Sequence, residues 1–450
     1  MTTSTLREDA LAIWKAGVAA VASDQLVRRA VQRDGDTLHI GGSECSLREI
    51  DRILVIGGGK AATGMAAGLE SSLGADLVAE KLTGLVNVPA DCVQTLQMIV
   101  THAGRPAGVN EPTAEGVAGV TRMLDLVAGM TSRDLLLILL SGGGSALLPA
   151  PIEGITLEDK RAVTRLLMSR SAPIEDLNTV RAALSKFKGG QLARAIPAGR
   201  AIALIISDVV GDPLPIIASG PTVGTPPTGA TALEVLRRYA PDAEIPARVL
   251  DVLTRSATPD AAVPRVAVQN VLIGNNATSL AASREEAERQ GYAVVACETN
   301  VCGIAREVGK ELAERALVDP EIPAGSRGWC WLSGGEPVVK LADYRGKRRG
   351  GRNQEVALSA LARWWHEDLS RLVLVSGGTD GEDGPTDAAG GIADAMTHTA
   401  ATHQGLTPGE YLAINNASEF LQQTDGLLLT GPTHTNVMDI RVLICSVETR

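Results

Sequence analysis

The sequence of 450 residues predicts an α/β protein with two domains and mainly parallel, Rossmann-like sheets. Short aliphatic runs, such as residues 53–56 and 135–140, alternate along the chain with stretches of helical periodicity. The second of these runs is apolar at every position, which is typical of a strand in a parallel sheet covered on both faces. A content of 45% hydrophobic and 21% charged residues fits a globular chain of more than one domain.

The charge and the hydropathy pattern exclude several classes of partner. A net charge of −10 disfavours nucleic acids and anionic membranes, and an aromatic content of 2% leaves few side chains to stack on bases. The N-terminal region lacks the continuous apolar segment of a signal peptide, and no apolar run reaches the ~18 residues that a membrane-spanning helix needs. We therefore expect a cytoplasmic protein with no membrane partner.

The predicted elements alternate on both sides of a linker. Before it, we predict helices over 4–32, 61–72, 113–128, 156–171 and 231–256, and strands over 53–56, 84–88, 97–101, 135–140 and 201–206. The segment 257–265, ATPDAAVPR, has the composition of a linker. Beyond it, we predict strands over 269–273, 292–297, 329–332, 372–375, 427–429 and 440–444, and helices over 278–290, 303–317 and 354–365. The predicted domains are therefore 1–256 and 266–450.

Glycine-rich loops follow several of the predicted strands. Lys60 comes directly after three glycines, where a helix N-terminus and a cation would together attract phosphate. Three predicted strands, 135–140, 329–332 and 372–375, each end in Ser-Gly-Gly, which lets the backbone approach a ligand. The pattern GxGxxA at 57–62 is also compatible with a dinucleotide-binding turn, and a lysine exposed on a turn is the alternative. The candidate binding residues on these loops are Gly58, Gly59, Ser141, Gly142, Gly143, Ser145, Ser333 and Gly334.

Acidic and basic clusters stand beside these loops. Two acids follow the strand 201–206, and four follow the strand 372–375, which is a composition that suits a Mg²⁺ site better than a core. A solvated acidic turn is the alternative for the second cluster. The segment 181–188 is locally basic, and its candidate binding residues are Arg181 and Lys186. The candidate metal ligands are Asp212, Asp380, Asp383 and Asp387, and Asp208 is a candidate catalytic acid.

Phosphoryl transfer needs this mixture of backbone amides, cations and carboxylates. The chain contains no GxxxxGK[ST] loop, so it is not a P-loop enzyme. It also lacks the HExxH and GxSxG motifs of common hydrolases.

The motifs together resemble the glycerate 2-kinase family, whose members carry a C-terminal MOFRL domain and have relatives labelled hydroxypyruvate reductases. In order, they are GGGKAA (57–62), LSGGGSALLP (140–149), LNTVRAALSKFKGG (177–190), SDVVGDP (207–213), IASGPT (217–222), SGGEP (333–337), GGRNQEVAL (350–358), GTDGEDGPTDAAGG (378–391) and TGPTHTNVMD (430–439). The resemblance places the MOFRL region at about 325–446.

The resemblance implies two α/β domains with the active site in the cleft between them, ATP and Mg²⁺ as cofactors, and phosphorylation of the 2-hydroxyl of D-glycerate. Lys60 and Arg352 match the functional lysine and arginine of the family. We expect these two residues to neutralise charge on the phosphoryl group and the substrate carboxylate. Further candidate ligand residues on the matching motifs are Asn353, Thr379, His434 and Asn436. The expected partners are a small hydroxy acid and ATP, and a homo-oligomer is compatible with the sequence.

Two loops depart from the family pattern. Residues 105–110 read RPAGVN where a His-Pro-x-Pro-Asp run is expected, and 434–439 read HTNVMD in place of GTNVND. These departures leave open a kinase for a larger acid, such as a tetronate, in which Arg105 would contact an additional polar group or the carboxylate. Ordinary sequence divergence of the two loops is the alternative. Two further hypotheses are an NAD(P)H-dependent hydroxypyruvate reductase and a non-catalytic ligand sensor.

Overall fold

The computed structural model describes residues 3–109, 111–224, 226–256 and 264–447, so most of the predicted linker lies outside the described residues. The strands are β1 (Val31–Asp34), β2 (Thr37–Ile40), β3 (Ser43–Ser46), β4 (Arg52–Gly58), β5 (Leu82–Pro89), β6 (Ile99–Arg105), β7 (Asp134–Leu140), β8 (Arg200–Ile206), β9 (Val268–Gly274), β10 (Tyr292–Glu298), β11 (Gly328–Gly335), β12 (Leu372–Gly378), β13 (Gly390–Asp394), β14 (Leu427–Leu428) and β15 (Asp439–Ser446). The helices are α1 (Thr3–Ala20), α2 (Ser23–Ala30), α3 (Ala62–Leu73), α4 (Ala75–Lys81), α5 (Ala114–Ala128), α6 (Gly144–Leu147), α7 (Leu157–Ser169), α8 (Ile174–Ala183), α9 (Gln191–Ala195), α10 (Gly229–Tyr239), α11 (Ala247–Arg255), α12 (Asn276–Arg289), α13 (Ala305–Arg315), α14 (Arg352–Arg363), α15 (Ala395–Gln404), α16 (Pro408–Ala413) and α17 (Ala417–Gln423).

The N-terminal unit, Ser23–Ile273, contains a six-stranded sheet in the order β6-β5-β4-β7-β8-β9. The pairs β6–β5, β5–β4, β4–β7 and β7–β8 are all parallel. The predicted α/β fold with a parallel sheet is therefore confirmed for this unit. Because neighbouring parallel strands end at the same edge, the loops after β4, β7 and β8 begin side by side.

Two predicted helices differ in the structure. The helix predicted over 4–32 ends at Ala20, restarts at Ser23 and gives way at Val31 to the antiparallel sheet β1-β2-β3. A two-residue turn, Gly35-Asp36, with Gly35 at φ +55°, joins β1 to β2, and a two-residue loop that contains glycine is a hairpin signal. The helix predicted over 231–256 is in fact α10 and α11, because two prolines at 241 and 246 interrupt it.

The C-terminal unit, Met1–Ala22 with Gly274–Arg450, contains a sheet in the order β10-β11-β15-β12-β13-β14. Only β10 and β11 pair in parallel, and the other neighbours are antiparallel. The prediction of mainly parallel sheets is therefore wrong for this unit. The loop 379–389 joins β12 to β13 without a helical crossover, and a short connection of this kind produces an antiparallel pair.

Helix α1 packs in the C-terminal unit, although it was predicted to belong to the domain 1–256. Trp14 is buried, and its Nε1–H donates to the Gly377 carbonyl at 3.4 Å. Hydroxyl groups on α12 donate to backbone carbonyls of α1: Ser279 to the Gly17 carbonyl at 2.8 Å, and Ser283 to the Ile13 carbonyl at 3.1 Å. The unit boundary near residue 273 also differs from the predicted boundary at 256–266.

Within the described residues, no single helix combines the length and apolarity needed to cross a membrane, although Thr5–Ala20 and Ser23–Ala30 meet both limits when taken as a bent pair.

Candidate active site

Two glycine-rich loops are joined by hydrogen bonds at the carboxyl edge of the N-terminal sheet. The Lys60 N–H donates to the Gly142 carbonyl at 2.8 Å, and the Ala61 N–H donates to Ser141 Oγ at 3.1 Å. These bonds fix the loop after β4 against the loop after β7. They bring together the predicted binding residues Gly58, Gly59, Ser141, Gly142 and Gly143, and Ser145 follows two residues later in α6.

Gly59 is required for the contact between these loops. It has φ +146°, and a Cβ at this position would lie 2.1 Å from Ser141 Oγ and 2.7 Å from the Ser141 carbonyl oxygen. An L-amino acid with a side chain would therefore be strained and would also collide with the neighbouring loop. Gly59 of the predicted phosphate loop is thus needed for packing against the neighbouring loop. The glycine pattern alone did not show whether the glycine was needed for this packing or for the close approach of a ligand.

Two cations flank the second glycine loop. A Cβ placed on Gly143 would lie 3.6 Å from Lys60 Cγ and 3.6 Å from Arg105 Nη2. Lys60 is half-buried just before α3, and Arg105 is buried at the end of β6, where it donates to the Val109 carbonyl. The structure therefore places Arg105, which differs from the family pattern, beside the glycine loop. Asn110 of the same segment lies outside the described residues.

Asp208 and Asp212 occupy the turn that follows β8 at the same sheet edge. Both are partly exposed, and Asp212 adopts φ +53° while its N–H donates to the Val209 carbonyl at 3.0 Å. Carboxylates that remain accessible at this edge can approach a ligand held by the neighbouring loops.

The structure separates the two predicted basic residues. Arg181 on α8 is half-buried and lines a cavity of about 290 Å³, whereas Lys186 is exposed and lies outside the described lining of that cavity. Lys188 lines the cavity instead, and its Nζ donates to the Ser145 carbonyl at 2.5 Å. Lys186 and Lys188 thus occupy different environments, and a count of basic residues could not choose between them.

Lys160 also lines this cavity, and the sequence analysis missed it. It lies on α7 and is buried, and its Nζ donates to the Leu184 carbonyl at 2.8 Å. Helical periodicity could have indicated it, because Lys160 precedes the buried Val163 and Leu167 by three and seven residues on the same face.

In the C-terminal unit, Arg352 lies in the first turn of α14, and the carboxylate of Asp439 holds its side chain in place. Its Nε and Nη2 donate to the two carboxylate oxygens of Asp439 at 2.7 and 2.9 Å, and Nη1 lies 3.0 Å from Glu336. Burial alone would lower the pKa of Arg352, but these two carboxylates raise it overall. Asp439 is fully buried, and the sequence analysis did not assign it a functional role.

Asp383, a predicted metal ligand, instead caps the N-terminus of α14. Its Oδ1 accepts from the Asn353 N–H at 3.1 Å, and its Oδ2 accepts from the Gln354 N–H at 2.9 Å and from Gln354 Nε2 at 3.1 Å. Burial, against these hydrogen bonds, raises the pKa of Asp383 to about 7. Asn353 is held in turn by Ser376, whose hydroxyl donates to its Oδ1 at 2.6 Å. Asp383 therefore orders the helix that begins with Arg352.

The loop 430–438 is fastened to the loop after β12. Buried Thr379 donates its hydroxyl to the Met438 carbonyl at 2.7 Å and accepts from the Val437 N–H at 2.8 Å. The predicted ligand residues His434 and Asn436 on this loop are half-buried, and His434 adopts φ +57°. The hydroxyl of Thr379 thus already has one hydrogen-bond donor and one acceptor within the protein.

The end of β11 adjoins a second buried arginine that the sequence analysis missed. Arg441 on β15 lies opposite Ser333 in the antiparallel pair and donates from Nε to its hydroxyl at 3.0 Å. Burial lowers the pKa of Arg441, against the raising effect of Asp439. The predicted residues Ser333 and Gly334 therefore stand beside the charged pair of Arg352 and Asp439.

The predicted metal ligands do not form a cluster. Asp380 is partly exposed and its Oδ1 accepts from the Glu382 N–H at 3.1 Å, and Asp387 is exposed. Across the ranges that the structure describes, no three His, Cys, Asp or Glu side chains converge to hold a metal ion.

A larger cavity, of about 610 Å³, lies beside α14 within the C-terminal unit. Its lining includes the cations Arg348 and Arg352 and the apolar residues Val338, Val339 and Leu341. Glu336 and Glu355 also line it, and the size and the combination of apolar and charged groups are typical of a pocket for a small organic ligand.

Two family profiles match the chain. One, described as a domain of unknown function (DUF4147), matches residues 9–254, and the other, described as the MOFRL family, matches residues 329–439. A glycerate kinase of Danio rerio is 37% identical over 98% of this chain and 98% of its own length. A D-glycerate 2-kinase of Thermotoga maritima is 33% identical over 97% of each chain.

The fold is similar as well. The crystal structure of a glycerate kinase from Thermotoga maritima superposes with a TM-score of 0.82 at 33% identity, and the match covers 98% of this chain and 100% of that one. These findings confirm the resemblance noted from the motifs. The chain belongs to the MOFRL-containing glycerate kinase family.

Proposed function

We propose that this protein is an ATP-dependent kinase that transfers the γ-phosphoryl group to the 2-hydroxyl of D-glycerate and yields 2-phosphoglycerate. The full-length similarity to a D-glycerate 2-kinase supports this acceptor. The strongest structural support comes from Lys60 and Arg352, each of which stands at the start of a helix preceded by glycines. At α3, the helix N-terminus and the cation Lys60 both favour a bound phosphate; at α14, Asp383 already caps the N-terminus, so the guanidinium of Arg352 is the group that favours a phosphate.

Phosphoryl transfer depends chiefly on positioning and on neutralising the charge of the equatorial oxygens. Lys60 is suited to bind the transferring group from the glycine loops of the N-terminal unit. Arg352 is suited to bind a phosphate beside α14, since Asp439 and Asp383 fix its side chain and its helix. Asp208 would accept the proton of the 2-hydroxyl as the oxygen–phosphorus bond forms and the bond to ADP breaks.

We assign the nucleotide to the larger cavity in the C-terminal unit. Its volume of about 610 Å³ is within the range of ligand pockets, and Val338, Val339 and Leu341 offer an apolar wall for a base. Arg348 supplies positive charge for a polyphosphate, and Arg352, whose charge Asp439 and Glu336 already balance, supplies a donor held in a fixed position.

The described carboxylates could hold a Mg²⁺ ion only together with the phosphates of the nucleotide, which would supply its other ligands. Asp383 does not fit, because backbone and side-chain N–H groups already bind its oxygens. Asp208, Asp212 and Asp380 are partly exposed and remain suitable, as is the exposed Asp387. Mg²⁺ commonly binds one or two carboxylates together with substrate phosphates, which agrees with the lack of a three-ligand cluster among the described residues. When bound, the ion would neutralise the phosphate oxygens.

The reductase hypothesis has little support in the structure. A dinucleotide site needs an acid for the ribose hydroxyl, and Asp76 is the acid at plausible spacing. Both of its oxygens accept from Arg33, at 2.8 and 2.9 Å, and this pair lowers the pKa of Asp76 to about 2. Asp76 therefore has a structural partner.

The test is ADP release with ATP and Mg²⁺ on D-glycerate, L-glycerate, erythronate and threonate, with phosphorus NMR to locate the new ester. We expect the highest kcat/KM on D-glycerate and an ester at the 2-position. A higher kcat/KM on a four-carbon acid would replace the acceptor and implicate Arg105. Oxidation of NADH by hydroxypyruvate without ADP release would refute the kinase.

A further inference from the structure

The smaller cavity, which we call the basic pocket, lies wholly within the N-terminal unit. It has a volume of about 290 Å³ and is lined by five cationic side chains, Lys160, Arg161, Arg165, Arg181 and Lys188, with Glu111 as an acidic group. Ser145, at the end of the second glycine loop, also lines it. The pocket therefore combines a strong excess of positive charge with a position next to the candidate catalytic loop.

The inner cations of the basic pocket have no carboxylate partner among the residues that the structure describes. Arg161 and Arg165 lie close to Glu158 at the surface. In contrast, no carboxylate among the described residues lies within ion-pair distance of Lys160, Arg181 or Lys188. Arg181 makes no side-chain hydrogen bond to any residue that the structure describes.

The two inner lysines are almost completely buried. Lys160 is 8% exposed and Lys188 is 4% exposed, and their ammonium groups donate to backbone carbonyls alone. Burial, followed by the nearby charge of Arg181, lowers the pKa of Lys160 to about 7. Burial also lowers the pKa of Lys188 far below its usual value. Buried cations without a counter-charge are unfavourable in the free protein, and a bound anion would compensate them.

The size and charge of the basic pocket indicate its ligand. Its volume lies at the lower end for ligand pockets and is less than half that of the cavity in the C-terminal unit, so a small acid fits better than a nucleotide. A lone carboxylate carries one negative charge, whereas a phosphate ester of the same acid carries up to two more. The three inner cations therefore favour the phosphorylated acid over the free acid.

We propose that the basic pocket is the acceptor site, where Arg181, Lys160 and Lys188 bind the carboxylate of the small hydroxy acid and hold its phosphate ester more tightly than the acid itself. This assignment rests on the proposed kinase function. Anion binding favours the protonated, charged form of Lys160. The charged and titratable groups that face Lys160 are Arg161 and Arg165 on its own helix, Arg181 and Lys188 from the following segment, and Glu111. Binding is therefore accompanied by proton uptake at slightly alkaline pH.

Calorimetry with the full chain tests the proposal with 2-phosphoglycerate, D-glycerate and ADP as separate ligands. We expect 2-phosphoglycerate to bind more tightly than D-glycerate, with proton uptake measured as a difference in heat between buffers of different ionisation enthalpy at about pH 8. Arg181→Gln and Lys160→Met should each weaken binding of 2-phosphoglycerate by about tenfold or more. Lys160→Met should also reduce the proton uptake, with Lys188 as the second group that gains a proton, whereas a purely structural role of Lys160 would leave the uptake unchanged.

The matched control is Arg170→Gln, which removes a cation at the end of α7 that pairs with Glu244 at the surface. It should leave the affinity for 2-phosphoglycerate within about twofold. Circular dichroism establishes folding, and Arg181→Gln provides a variant that breaks no hydrogen bond among the described residues.

Several outcomes would overturn the assignment. One is unchanged 2-phosphoglycerate affinity in both folded pocket variants, and another is no binding of 2-phosphoglycerate to the unaltered protein. A weaker affinity for ADP with an unchanged affinity for 2-phosphoglycerate would make the basic pocket a nucleotide site. The kinase proposal fails separately: binding that depends on Arg181, without ADP release on any acid, supports the pocket and refutes the kinase.

Discussion

Replacing Asp439 by Asn tests whether one buried carboxylate holds the charged groups of the C-terminal unit. Asp439 is fully buried and accepts both hydrogen bonds of the Arg352 guanidinium. Arg441, also buried, lies two residues further along β15 and is stabilised in its charged form by the same carboxylate. A neutral amide removes this compensation from both cations.

The expected destabilisation follows from the burial of each partner. Breaking a buried ion pair costs about 3–5 kcal/mol. The Arg352 side chain is 29% exposed and has a second partner in Glu336, which reduces the loss, whereas Arg441 is buried and, among the described residues, has no second carboxylate within ion-pair distance. We therefore expect Asp439→Asn to lower the free energy of unfolding of the C-terminal unit by about 3 kcal/mol.

Tryptophan fluorescence during urea unfolding is a suitable assay, because all five tryptophans belong to the C-terminal unit. The matched control is Asp425→Asn, which neutralises an acid of the same unit whose side chain is 99% exposed. It should change the free energy of unfolding by less than about 0.5 kcal/mol. The double variant Arg352→Met/Asp439→Asn should recover part of the loss, since only Arg441 then remains uncompensated.

A loss below about 1 kcal/mol in Asp439→Asn would refute this reasoning, because it would show that the two guanidinium groups need no buried counter-charge. So would a double variant that is less stable than Asp439→Asn, since the loss would then come from packing rather than charge.

Three further predictions concern the N-terminal unit. Lys60→Ala should lower kcat by about a hundredfold or more in the ADP-release assay with an unchanged circular dichroism melting curve, and near-normal turnover would exclude its charge from the reaction. Because the folded pKa of Lys160 lies near 7 and the unfolded pKa near 10.5, the unfolded chain binds more protons between these values, so stability rises with pH across this window by at most about 1.4 kcal/mol per unit. Lys188, whose pKa burial also lowers, contributes to the same rise, so circular dichroism unfolding of Lys160→Met should show a smaller slope, and an identical slope would assign the rise to other groups. Gly59→Ala should lower the free energy of unfolding of the unit by about 3 kcal/mol, because the added Cβ collides with Ser141. The control is Gly42→Ala, at φ +84° with no atom within 4 Å of the added Cβ, which should cost about 1 kcal/mol. Equal losses would show that the backbone angle alone determines the cost.

The sheet edge that carries the candidate site could be predicted from local sequence. The aliphatic runs 53–56 and 135–140, which are followed by glycines, both lie within strands that end at or just after the run. Since parallel neighbours end at one edge, finding Lys60 near Gly143 required only the strands and their direction. Local patterns therefore specified which loops would meet.

The partners of the charged residues could not be predicted in this way. Asp439 contacts Arg352 because β15, the last strand of the chain, inserts between β11 and β12, and this pairing depends on long-range register. The acidic run was interpreted as a metal site, but Asp383 points inward to cap α14 while Asp387 remains exposed. Composition alone does not tell which carboxylate of a turn faces the core.

The cation beside α14 and the lysines of the basic pocket differ in how their charge is compensated, and this difference bears on their roles. Arg352 is paired before any ligand arrives, so its geometry is fixed and a ligand gains little from neutralising it. Lys160 and Lys188 are buried against carbonyl dipoles alone, so an incoming anion relieves an existing penalty. A paired cation suits a residue that must be held in position for transfer, as electrostatic preorganisation requires. Unpaired cations suit a site whose affinity must respond to the charge of its occupant, as expected where an acid becomes a phosphate ester.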